Sequence, residues 1–163
     1  MQARDRNILR RYRLVLGLFI FGLIVSGCSA FPLQYELTLF TRILGISDPA
    51  AYAELSGLRR WVAFVHFGLN ETYARFPFFG YASDWLAFGH LVIAIFFFLP
   101  FADPVRYRGV LKMGLAACAG VVLIALVCGP VREIPFVWRL IDCSFGLLGA
   151  IPLLYCLRLT SRI

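Results

Sequence analysis

GPVREIPFVWRLIDCSFGLLG, residues 129–149, is the stretch whose reading decides the fold of this chain. A Gly-Pro pair and the charged residues Arg132 and Glu133 form a polar turn, which runs straight into an apolar helix. The apolar run Phe136–Leu157 is long enough to cross a bilayer, so Arg139 and Asp142 stand inside the first two turns of a membrane span. Arg139, Asp142, Gly146 and Gly149 follow one another at three, four and three and therefore share one stripe of the helix. Small residues mark where membrane helices meet, so this stripe is expected to face other helices rather than lipid.

Working outward, three more apolar runs of spanning length appear, Leu14–Phe31, Trp85–Phe101 and Val110–Val127. Of the 163 residues 61% are apolar, 16% are aromatic and only 15% are charged, whereas a soluble domain is roughly half apolar and about a quarter charged. The fold class expected is all-α: an integral membrane four-helix bundle forming a single membrane domain over residues 1–163. The net charge of +7 comes from basic residues clustered beside the apolar runs. That placement serves membrane orientation and excludes a nucleic-acid-binding stripe. Cys28, Cys118, Cys128, Cys143 and Cys156 lie within or at the ends of apolar runs and form no C-x-x-C pair. They point to no disulfide framework, metal site or redox motif, and no cofactor is expected.

Between the first two spans lies residues 32–83, the far-side amphipathic segment. Ser47-Asp48-Pro49 is a helix start signal, a capping side chain followed by Pro at the first helical position. A single helix is expected from there to Pro77, with Leu55, Leu58, Val62, Val65, Leu69 and Tyr73 recurring at three and four. Trp61, Tyr73 and the FPFFGY run supply aromatics of the headgroup region. His66 stands among apolar neighbours and reads as a packed or wetted side chain. In the first span Gly22, Ser26 and Ala30 lie four apart and form an expected packing face. Val25–Cys28, VSGC, has the form of a lipobox; the packing stripe is the preferred reading of the same residues.

Orientation follows from the flanks. The arm MQARDRNILRRYR carries five arginines, the 102–112 turn carries Arg106, Arg108 and Lys112, and the tail carries Arg158 and Arg162. The positive-inside rule then puts both termini and the 102–112 turn in the cytoplasm.

Candidate chemistry gathers at the opposite side. Ser83, Ala87, His90 and Ala94 form a small-residue stripe on the second span. His90 and Asp142 each lie five or six residues inside their spans, roughly 8–9 Å below the outer interface. They are the candidate acid/base pair. Asp84, Arg132, Glu133 and Arg139 are the candidate substrate-binding residues around it, with the arginines suited to a phosphate or carboxylate. Ionisable groups within spans mark a site by default. The competing account is that Arg139 pairs with Asp142 at i,i+3 and His90 bonds across helices, all of it structural.

SDWLAFGH, FADPVR and GPVREIPFVWRLIDCSFG resemble the motifs of a group of small four-helix bacterial inner-membrane proteins with no assigned activity. That resemblance implies a bacterial inner-membrane location. A fainter likeness over residues 84–149 is to VanZ-like proteins, which have an Asp and a His at the start of the second helix and an Arg, an Asp and spaced glycines in the last. Here His90 follows Asp84 by six positions instead of four, Trp85 stands for a lysine and Gly146 for an asparagine, so no VanZ role carries over.

Three functional classes follow. The first is an accessory, structural or partner-docking membrane protein, in contact with lipids and with another membrane protein or a second copy. The next is an enzyme or binding protein for a lipid-linked or anionic substrate at the outer interface. The last is a solute or proton carrier, weakened by a third span nearly free of polar groups.

Overall fold

The computed structural model describes residues 2–162, with side chains from Asp5 onward. The chain is all-helical: α1 (Gln2–Ala30), α2 (Leu33–Ile43), a 3-10 helix Pro49–Glu54, α3 (Gly57–Arg75), a 3-10 turn Pro77–Phe79, α4 (Gly80–Ala102), α5 (Arg108–Val131) and α6 (Phe136–Thr160). Four helices, α1, α4, α5 and α6, are long and apolar enough to cross a membrane. Large apolar side chains stand exposed along their outer faces, among them Leu18 and Phe21 of α1, Ile95 and Phe96 of α4, Leu123 and Ile124 of α5, and Leu147 and Leu148 of α6. Away from their charged ends, these helices have the pattern of membrane spans, apolar on every side.

The chain divides into two compact units. One comprises residues 1–23 and 93–163, the other residues 24–92, with the division falling inside α1 and α4.

In the first unit α5 and α6 form an antiparallel hairpin whose register is set by missing side chains. A Cβ on Gly146 would come within 2.5 Å of the Cys118 carbonyl, and one on Gly149 within 3.2 Å of Cys118 Sγ. Gly114 leaves room for the Phe97 ring and for Leu153. The glycines of the 139–149 stripe thus do pack against a neighbouring helix. Phe97 also meets Phe19 edge-on, ring centroids 4.9 Å apart.

The same unit solves a problem created by proline. The carbonyl of Pro100 would ordinarily accept from the amide four residues on, but residue 104 is Pro and has no N–H. Tyr12, fully buried, donates its hydroxyl to the Pro100 carbonyl at 3.0 Å. Beyond α4, Asp103 caps the following turn, its Oδ1 accepting from the Arg106 amide at 3.0 Å, and α5 begins at Arg108.

In the second unit Gly27 provides the close approach: a Cβ there would meet the Ala87 carbonyl at 3.0 Å and His90 Cβ at 3.1 Å. The expected face was Gly22–Ser26–Ala30, yet Gly22 meets nothing within 4 Å and Ser26 is exposed. The stripe on α4 is as expected at Ala87 and Ala94, both buried. The segment expected as one helix from Pro49 is broken. Asp48 does cap its start, accepting from the Ala50 amide at 2.9 Å. The helix then ends at Glu54, because Leu55 and Ser56 are extended and Gly57 has φ +55°. That corner folds Tyr52 and Leu55 back onto Ile46, Val62 and Ala63, giving the segment a small core of its own.

Two substitutions test these contacts by thermal unfolding in a membrane mimetic. Tyr12→Phe leaves the Pro100 carbonyl without its donor and is expected to cost about 1–2 kcal/mol. Gly146→Ala, driven against a backbone atom, is expected to destabilise clearly, whereas Gly120→Ala, with open space around it, is expected to be neutral or stabilising through helix propensity.

Candidate functional site

The sequence candidates divide between the two units: Arg132, Glu133, Arg139 and Asp142 in one, Asp84 and His90 in the other. Each group is built by its own local structure.

Residues 129–135 close the α5–α6 hairpin. The expected stop at Gly129-Pro130 is not where α5 ends; it runs on to Val131, and the chain turns one step later. The Glu133 amide donates to the Pro130 carbonyl at 3.1 Å and the Ile134 amide to the Gly129 carbonyl at 2.9 Å. These are the two reverse bonds of a Schellman motif, which needs a left-handed residue just past the helix. Glu133 supplies it, with φ +56°. The same motif ends α2, where Gly45 takes the left-handed position at φ +64°, with Gly45 N–H on Arg42 and Ile46 N–H on Thr41. Gly45 adopts it freely; Glu133 adopts it against the preference of its Cβ. Arg132 and Glu133 are both exposed.

Arg139 is half-buried and lies across Gly129: a Cβ on that glycine would collide with Arg139 Cδ and Cγ. Its guanidinium carbon stands 5.2 Å from the Phe136 ring centre, a cation–π distance. Its Nε is buried with no hydrogen-bond partner. The structural account of an Arg139–Asp142 pair does not hold, because the one ion pair among the described residues is Glu71–Arg75 at 3.3 Å. The side chain of Arg139 instead leans along its own helix toward Phe136 and into the notch at Gly129. Asp142 is half-buried on the same stripe. The hairpin register, Gly146 against Cys118 and Arg139 against Gly129, puts it near the level of Ala125.

His90 is half-buried, and its Nδ1 lies 2.9 Å from the Leu86 carbonyl. A carbonyl only accepts, so Nδ1 carries a proton, and in the neutral ring Nε2 is the acceptor. Asp84 is exposed at the start of α4 and lines a cavity of about 590 Å³ with Gln34, Tyr35, Tyr73, Tyr81 and Ser83 among its walls.

A polar constellation that the sequence reading passed over joins α2 to α3. Gln34 Nε2 donates to Asn70 Oδ1 at 2.8 Å. Thr38 gives its hydroxyl proton to the Gln34 carbonyl at 2.7 Å, so it accepts from His66 Nε2 at 3.2 Å. Asn70 Nδ2 lies 3.2 Å from both ring nitrogens, and with Nε2 protonated it donates to Nδ1. The circuit is closed, and it fixes the His66 tautomer. Its signal was present in the spacing: Gln34 and Thr38 are four apart, as are His66 and Asn70, which makes two short polar stripes on consecutive helices.

Among the described residues no group of three His, Cys, Asp or Glu side chains is arranged to hold a metal ion. The five cysteines are free thiols, Cys143 and Cys156 buried and Cys28 and Cys128 exposed. Compared with protein-family models, with curated proteins and with solved structures, the chain finds no significant match.

If Glu133 serves only as the turn residue, Glu133→Gly should stabilise the protein by about 1 kcal/mol through relief of the left-handed conformation. Unfolding of the purified variant checks this; a loss of stability would show that the carboxylate itself holds the turn.

Proposed function

We propose that this chain is a small multi-pass protein of the bacterial inner membrane, both termini cytoplasmic, acting as an accessory or partner-docking component. The four long apolar helices support insertion, and the motif resemblance supports the location. The excess of basic residues in the N-terminal arm, the 102–112 turn and the tail supports the orientation. In this reading residues 32–83 lie at the outer surface. Tyr35, Leu39, Phe40 and Ile43 of α2 and the ring group Phe76, Phe78 and Phe79 are then exposed toward the headgroups.

The observation that carries the accessory role is how the polar side chains are used. Gln34, Thr38, His66 and Asn70 satisfy one another in a closed circuit, and Arg139 is committed to the α5–α6 contact at Gly129. Polar groups spent on one another hold helices in register and leave little for a substrate.

One observation favours the alternative, an enzyme or binding protein acting on a lipid-linked or anionic substrate. In its neutral form His90 presents Nε2 as a free acceptor in a half-buried place, as a general base requires. A carrier function is the weakest of the three.

Two experiments test the orientation and the role of His90. Alkaline phosphatase fused after Ile134 should be active and after Ile163 inactive; the opposite pattern overturns the orientation. His90→Ala should lower the melting temperature by a few degrees if the ring serves structure. A neutral or raised melting temperature would favour a catalytic His90, since functional residues tend to be held at a cost to stability.

A further inference from the structure

Asp84 stands where two cavities meet. The larger, about 590 Å³, is walled by Tyr35, Tyr73 and Tyr81, and the smaller, about 260 Å³, by Phe31, Tyr81, Trp85 and Phe88. All of these residues belong to the unit formed by residues 24–92. The chain has 16 Lys and Arg against nine Asp and Glu, yet no Lys, Arg or His lines either cavity. Asp84 is exposed and takes part in no ion pair among the described residues. Three of its polar neighbours are bonded to other groups: the Tyr73 hydroxyl and Ser83 Oγ to each other at 2.6 Å, and Gln34 Nε2 to Asn70. The Tyr73 ring is held in place against Gly80, where a Cβ would stand 3.4 Å from it. Tyr81 and Trp85 meet edge-on with centroids 5.9 Å apart.

A single carboxylate among aromatic rings, with no basic side chain in the cavity walls, repels anions and attracts cations. The ring faces are negative, so they reinforce the carboxylate toward a cation that carries apolar substituents. A small metal ion would want several oxygen ligands, which one carboxylate does not provide. The larger cavity has the size of a small-molecule site.

We propose that the Asp84 cavities bind an organic ammonium ion, with the carboxylate as counter-ion and the surrounding rings as walls. Two sources share this chemistry, the amine-bearing headgroup of a zwitterionic phospholipid and a free amine. The headgroup source rests on the membrane placement proposed above, because it needs Asp84 at headgroup depth beside Trp85. The free-amine source does not.

The test uses the full chain in detergent micelles, titrated at constant ionic strength with tetramethylammonium and with ethanolamine, with sodium chloride as control. Tryptophan fluorescence and melting temperature are the readouts. Saturable binding of the ammonium ions is expected, at least tenfold weaker in Asp84→Asn. That variant should unfold at the wild-type temperature when no ligand is present, since the carboxylate has no ion pair to lose. Tyr81→Leu, at an exposed ring, is a second variant with the same expected loss. Native mass spectrometry after passage through vesicles of equal phosphatidylethanolamine and phosphatidylglycerol then identifies the source. Retained phosphatidylethanolamine that free ethanolamine does not displace marks the headgroup; ready displacement marks a free amine. No saturable ammonium binding, equal binding in both variants, or preferential retention of phosphatidylglycerol overturns the proposal. Should the fusion experiment contradict the membrane orientation while ammonium binding in micelles persists, the orientation falls and the site stands.

Discussion

Where water is excluded, a helix carbonyl that loses its donor needs another, and this chain places Pro100, Pro130 and Pro152 inside three of its long helices, with Pro100 fully buried. At the end of α4 the difficulty is doubled, because Pro104 removes the donor for the carbonyl of Pro100 itself. The answer comes from 88 residues away, through the hydroxyl of Tyr12. One hydrogen bond therefore ties the start of α1 to the end of α4 and lets α4 end at a buried proline. The thiol of Cys156 contributes a weaker contact at the same place, 3.8 Å from the Tyr12 carbonyl.

Where carbonyls are already satisfied, the helices are joined by absence of bulk. Gly146 on α6 removes a side chain where the helix meets the backbone of α5, and Gly149 and Gly129 make room for Cys118 Sγ and the Arg139 stem. Helices that are apolar on every side would find no hydrophobic drive to associate in lipid, where close packing has to supply the attraction. Arg139 fits this scheme unexpectedly well. Its methylene stem fills the notch at Gly129 and its charged end rests on Phe136. A charge near a helix end thus contributes packing, at the cost of a buried Nε with no partner.

The second unit is held differently. Its apolar core is small, Ile46, Val62 and Ala63 with three partly buried neighbours, and the Gln34–Asn70–His66–Thr38 circuit supplements it between α2 and α3. A core of that size leaves most of the aromatic side chains of the segment on its surface. Phe31, Tyr35, Tyr81, Trp85 and Phe88 among them line the cavities of Asp84, the one carboxylate lining either cavity, and so the part of the molecule with the least core carries the most distinctive chemistry.

The composition and the length of the apolar runs were enough to determine an all-helical chain with four helices long and apolar enough to cross a membrane, because both are properties of single segments. Asp48-Pro49 as a helix start and Gly146 and Gly149 as packing residues were likewise legible, since capping and small-residue stripes act locally. The break after Glu54 was not, because Leu55 and Gly57 leave the helix only to bring Tyr52 and Leu55 onto Val62 and Ala63. Gly27 in place of Gly22 as the contact on α1 depends on which face α4 presents, and no period in α1 records that. The same holds for Tyr12 and Pro100, whose partnership joins distant positions, and for Arg139, whose choice of Gly129 over Asp142 follows from the register of α5 against α6. Sequence determines what each segment can bury or span; only the tertiary structure decides which of two equally spaced residues meets a neighbour, because that depends on the rotation of one helix relative to another.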